Sequence, residues 1–124
     1  MTTAAKTGIT GIDASYYMTK DLGKATSFYS ALFAFEPTMH IPNMVSEWTF
    51  EANDSTFGLY QPQNADDWRP GGGLLFGVPD IQAAVDAAKA AGAKFDEHVE
   101  DTPVCYMAFG QDPEGSYFIL HQLK

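Results

Sequence analysis

Scarcity of certain residues bounds this sequence first. There is one cysteine, Cys105. It has no partner for an internal disulfide and cannot supply a thiolate cluster for zinc or iron–sulfur, so the chain suits a reducing compartment and Cys105 is expected to pack as a small hydrophobe. Basic residues are few, 7 Lys and Arg against 16 Asp and Glu, for a formal net charge of −9. They are scattered rather than gathered into a stripe, and the negative balance repels phosphate backbones, so no nucleic-acid partner is expected. Solubility accounts for the acidic balance, which would also favour the approach of a cationic ligand. No apolar run is long enough to cross a bilayer, and residues 1–6 lack the long apolar core of a secretory signal; no membrane partner and a cytoplasmic location are expected. Phosphate loops of the Gly-Lys-Ser/Thr type, Gly-x-Ser-x-Gly nucleophile elbows and paired-histidine helix motifs are also missing. Gly71-Gly72-Gly73 is not followed directly by a helix, so it reads as a flexible hinge rather than an anion cradle.

What is present is a repetition. Asp21-Leu22-Gly23-Lys24-Ala25 opens one amphipathic segment and Asp80-Ile81-Gln82-Ala83-Ala84 another, each after a short apolar run, at residues 14–18 and 74–78. A period of roughly sixty residues is too long for most solenoid units and is read as two copies of one small module. The 124 residues, 45% apolar, suffice for a single domain of residues 1–124, with one module at about 8–62 and the second at about 72–124.

Local signals fill in each copy. A strand over 11–18 leads to a helix capped by Asp21, with Leu22, Ala25, Phe28 or Tyr29, and Leu32 at helical spacing; residues 34–37 end it. Strands are expected over 37–41, 46–52 and 56–61, the middle one alternating with Trp48 and Phe50 on one face. Residues 62–73 form a linker rich in proline and glycine. A strand over 74–78 then leads to a helix after Asp80 that Gly92 stops, followed by strands over 93–99, 104–109 and 117–122. Asp112-Pro113-Glu114-Gly115 supplies the last tight turn. The order is βαβββ twice, an α+β fold. Glu97, Glu100 and Asp101 read as a solvated acidic cluster.

Tyr17-Met18-Thr19-Lys20-Asp21-Leu22, Ala25, Phe28-Tyr29 and Leu32-Phe33 resemble the opening of the vicinal oxygen chelate superfamily, which includes glyoxalase I, extradiol dioxygenases, fosfomycin resistance enzymes and bleomycin resistance proteins. Phe109-Gly110-Gln111-Asp112-Pro113-Glu114-Gly115-Ser116, followed by Tyr117-Phe118-Ile119-Leu120, is similar to its closing signature. The resemblance spans about 11–122 and implies two βαβββ modules whose half-open sheets curl around a pocket, often across a domain-swapped homodimer. A homodimer is therefore expected, and pairing would also cover the open sheet edges.

Enzymes of that superfamily usually hold a divalent metal with His and Glu from corresponding strands. The first-strand ligand of the pattern, seven residues before the helix-opening Asp, falls on Ala14, and its repeat partner on Gly73. The closing glutamate falls on Ile119, and its first-module counterpart near Leu59. None offers a side-chain donor, and Asp13 with His121 would make too small a set. No metal and no other cofactor are expected.

If the superfamily's inward register holds, Ala14, Tyr16, Leu59 and Gln61 face the pocket from the first module, and Tyr117, Ile119 and His121 from the second. Trp48 and Phe50 share one strand face and are candidate walls, a face that alternation alone assigns to neither ligand nor core. The expected ligand-binding set is Tyr16, Trp48, Phe50, Gln61, Tyr117, Ile119 and His121. Bleomycin resistance proteins hold their drug in dimer grooves without breaking it, so the resemblance implies a metal-independent protein that sequesters an aromatic or cationic organic ligand such as an antibiotic. The alternative is a metal-independent isomerase or lyase in which His121 or a tyrosine moves a proton. A metal-dependent glyoxalase or dioxygenase ranks below both.

Overall fold

The computed structural model describes residues 6–96 and 98–124. Residues 1–5 and Glu97 of the acidic cluster lie outside the described residues.

The repeat shows first in matched helix entries. Asp21 and Asp80 both sit in extended backbone, and their carboxylates accept from the backbone N–H of Lys24 at 3.0 Å and of Ala83 at 3.1 Å. Each satisfies one donor of a first helical turn, which has no partner within the helix. The helices so started are α1 (Leu22–Phe33), which buries Leu22, Ala25, Phe28 and Tyr29, and α2 (Ile81–Ala91), which buries Ile81, Val85 and Ala88. A second acceptor is repeated as well: the Gln61 carboxamide oxygen takes the N–H of Leu22 at 2.8 Å, and that of Gln122 takes the N–H of Ile81 at 2.7 Å.

Around α1, strands β1 (Ser15–Met18), β2 (Met39–Ile41), β3 (Val45–Thr49) and β4 (Thr56–Tyr60) form a sheet in the order β1-β4-β3-β2. Around α2, β5 (Leu74–Gly77), β6 (Lys94–Phe95), β7 (Glu100–Asp101), β8 (Cys105–Gln111) and β9 (Tyr117–Leu123) form a second, β5-β9-β8-β6, with β7 also paired to β8. β1 and β5 run parallel to β4 and β9, and every other pairing is antiparallel. The fold is α+β, in the order βαβββ in the first half and βαββββ in the second.

Two expectations on strands are corrected. β1 begins at Ser15 rather than residue 11, because its ladder on β4 starts only at Ser15 opposite Phe57. The strand expected over 93–99 is confined to β6, and a further short strand, β7, follows it, the register on β8 slipping by two residues between Phe95↔Gly110 and Glu100↔Met107.

One core serves both halves. Phe33 and Phe57 from the first meet Phe76 from the second with ring centroids 5.2 and 5.6 Å apart, at edge-to-face angles. Polar ties reinforce it. Buried Tyr29 donates its hydroxyl to Asp112 Oδ2 at 2.7 Å, and the Glu114 carboxylate accepts from Thr19 Oγ1 and the N–H groups of Lys20 and Asp21. Burial pushes the Asp112 carboxyl above its ordinary range, and burial together with Asp112 pushes the Tyr29 phenol up.

The expected flexible hinge at Gly71 is also corrected. Its N–H donates to Ser116 Oγ and its carbonyl accepts from Tyr117 N–H, both at 2.9 Å. A Cβ there would lie 2.4 Å from the Tyr17 ring, so the glycine permits a close contact between the halves. Among the described residues no helix is long and apolar enough to cross a membrane.

Candidate functional site

Strand residues alternate between faces, so the pairing register sorts each sheet into a side packed on its helix and a side turned away from the shared core. In the first sheet Tyr17, Ser46, Trp48, Phe57 and Leu59 lie on the helix side and are buried. The opposite, open face carries two cross-strand rows: Met39, Glu47, Gly58 and Tyr16, then Ile41, Val45, Tyr60 and Met18. Tyr16 leans across Gly58, and its hydroxyl donates to Glu47 Oε2. A Cβ on Gly58 would come within 2.5 Å of Tyr16 Cζ, so only glycine leaves room for the ring. Tyr60 stands beside it, ring centroids 6.1 Å apart and tilted by 50°.

The second sheet repeats the division. Phe76, Ala108, Phe118 and Leu120 face α2 and the core. Leu75 and Gly77 of β5, Tyr117, Ile119 and His121 of β9, and Phe109 and Met107 of β8 share the open face. Tyr16 is 39% and Tyr117 54% exposed, and Ile41, Tyr60, Leu75 and Phe109 are exposed as well. Among the described residues nothing covers either open face. Monomers seldom leave contiguous apolar surface uncovered without a use for it.

The sequence-derived set divides accordingly. Tyr16 stands on the first open face; Tyr117, Ile119 and His121 stand together on the second. Trp48 does not belong to a pocket: it is fully buried, its Nε1 donates to the Phe35 carbonyl at 3.2 Å, and its ring packs on Phe33 edge to face. Phe50 is half-buried against Phe33 and Phe35. It lines a cavity of about 430 Å³ where α1 and the β3–β4 turn meet β5 and α2, with no ionisable side chain in the lining. Gln61 is corrected to a helix-entry acceptor. Leu59 is corrected to the core, because it pairs with Tyr17, whereas Gly58 pairs with Tyr16. Sequence reasoning missed Glu47 and Tyr60. The alternation of β3 contained the signal, since Glu47 lies opposite in phase to the buried Ser46 and Trp48.

The register also tests the metal corners that the resemblance assigned. Ile119 pairs with Leu75 as Gly58 pairs with Tyr16, so the first-module counterpart of Ile119 is Gly58, one residue before the expected Leu59. Ala14 and Gly73 each stand one residue before their strands. The four corners are thus Ala14, Gly58, Gly73 and Ile119, and the Tyr16 ring lies over one of them. These residues do not fit a divalent metal, which needs lone pairs at each corner. Among the described residues no three His, Cys, Asp or Glu side chains cluster closely enough to hold one.

The family model of the Glyoxalase/Bleomycin resistance protein/Dioxygenase superfamily matches residues 11–120, and the chain belongs to that superfamily. Among solved structures it is similar to a member of the superfamily from Sphaerobacter thermophilus DSM 20745, with 24% identity, TM-score 0.73 and coverage of 92% of this chain and 98% of that one. A family enzyme from Burkholderia phytofirmans PsJN is 20% identical with TM-score 0.75, covering 90% and 98%. Protein ATC0852 from Agrobacterium tumefaciens is 21% identical with TM-score 0.75, covering 94% and 99%. Likeness at this level concerns the fold. Among curated proteins there is no significant match.

Proposed function

We propose that the protein is a metal-independent binding module that sequesters a small aromatic or cationic organic molecule, such as an antibiotic, between sheet faces supplied by two copies of the chain. The observation that supports this most is the pair of uncovered faces, which carry Tyr16 and Tyr60 on one sheet and Tyr117 and Phe109 on the other. Aromatic rings give planar ligands large contact area at small conformational cost. In a two-fold dimer the first sheet of one protomer would face the second sheet of its partner, twice, completing two equivalent pockets and covering the edges β1 and β5. The catalytic alternative has less support: no carboxylate of the described residues lies within salt-bridge reach of His121.

The test is a thermal-stabilisation screen of aromatic and cationic compounds with and without chelator, alongside sedimentation at micromolar concentration. A dimer, stabilised by hits regardless of chelator and weakened in affinity by Tyr117→Ala, is the expected result. A monomer, or hits that Tyr117→Ala and Tyr16→Ala leave untouched, would refute the reading.

A further inference from the structure

Glu47 is a carboxylate set in apolar and aromatic surroundings. Its row neighbours are Met39, Gly58 and Tyr16, and Ile41, Val45, Tyr60 and Met18 form the adjacent row. None of these is basic, and among the described residues no Lys, Arg or His nitrogen lies within salt-bridge distance of it. Among the described residues its side chain receives one hydrogen bond, from the Tyr16 hydroxyl. A carboxylate offers about four lone-pair sites, so most of its accepting capacity is free.

We infer that Glu47, flanked by the Tyr16 and Tyr60 rings, is the anchor for the ammonium group of an arylalkylamine-type ligand. The inference rests on the open-face pocket proposed above and names its ligand class. A carboxylate covered by an occupant loses hydration, and an uncharged occupant gives nothing in return, whereas an ammonium donates charge-assisted hydrogen bonds. The Tyr16 and Tyr60 rings, with centroids 6.1 Å apart on the same face, offer aromatic surface for the aryl part of such a ligand. The chain's net charge of −9 draws such ligands toward the protein.

The test compares matched pairs of probes: phenethylamine with 2-phenylethanol, tryptamine with tryptophol, and 1-naphthylmethylamine with 1-naphthalenemethanol, at neutral pH on the full chain. The amine of a pair is expected to bind about tenfold more tightly than its alcohol, as charge-assisted hydrogen bonds to the carboxylate allow. In Glu47→Gln, whose amide oxygen still accepts from Tyr16 through a weaker neutral bond, the protein is expected to remain folded and the amine-to-alcohol ratio to fall at least about fivefold. Alcohols binding as well as amines to the unaltered protein, or an amine preference that survives Glu47→Gln, would overturn the inference and leave the aromatic pocket standing. Failure of all six compounds to bind would overturn both.

Discussion

Gly58→Ala tests the geometry at the centre of the first open face. The added Cβ would lie 2.5 Å from Tyr16 Cζ and 2.7 Å from Cε1 and Cε2. Unstrained carbon contacts start near 3.5 Å. The backbone of β4 cannot retreat, because β1 and β3 are hydrogen-bonded to it on either side. Tyr16 must therefore swing away, giving up its bond to Glu47. A hydrogen bond to a charged group contributes about 1.5–3 kcal/mol, and partial exposure places this one at the low end. Opposing that loss, alanine is favoured over glycine inside a strand by about 0.5–1 kcal/mol. The net cost of Gly58→Ala is thus about 1 kcal/mol. In a Tyr16→Ala background nothing obstructs the methyl group, and the same change should stabilise by about 0.5 kcal/mol. Urea unfolding of the four proteins of the cycle should give a coupling of about 1.5 kcal/mol. Coupling below about 0.5 kcal/mol would show that Tyr16 does not lie across Gly58.

Trp48→Ala should cost about 3–5 kcal/mol in denaturant unfolding, the usual range for emptying a buried aromatic site; a loss under about 1 kcal/mol would place Trp48 outside the core. Gln61→Ala and Gln122→Ala should each cost about 1 kcal/mol through a helix-entry N–H left without its acceptor, with ligand affinity unchanged, and a selective loss of affinity in Gln61→Ala would return that residue to the site. Asp112 is raised in the folded state chiefly by burial, so the native protein binds more protons than the unfolded chain between the two pKa values, and this group's contribution to stability falls as pH rises through that window. The stability of the unaltered protein minus that of Asp112→Asn should accordingly decline from acid toward neutral pH; a flat or rising difference would contradict the assignment.

The fold was legible where the sequence carries its own punctuation. Asp21, Asp80, Gly92 and the Asp112–Gly115 turn act through local backbone chemistry, and all four stand where their residue types predict. Face assignment was harder. The phase of β3 puts Trp48 and Glu47 on opposite sides, but which side meets α1 is decided by Phe33, fifteen residues before Trp48, and by the packing of the whole sheet. The metal corner of β4 was misplaced by one residue for the same reason: β1 and β4 pair across some forty residues of chain, and a single-residue slip exchanges Gly58 for Leu59. Gln61 went to the wrong role because its partner, the N–H of Leu22, is a backbone group with no sequence signal. Tyr117 and His121 follow directly from Ile119 by the two-residue period of a strand.

The central claim is an aromatic pocket that works without a metal. Its most direct test is to titrate zinc, nickel, manganese and iron(II) into chelator-treated protein, following metal uptake per chain together with stabilisation by the best hit of the compound screen. The account predicts no stoichiometric uptake of any of the four metals, and ligand stabilisation equal before and after chelation. One equivalent of metal bound per chain, with ligand binding that disappears on chelation and returns with the metal, would contradict it.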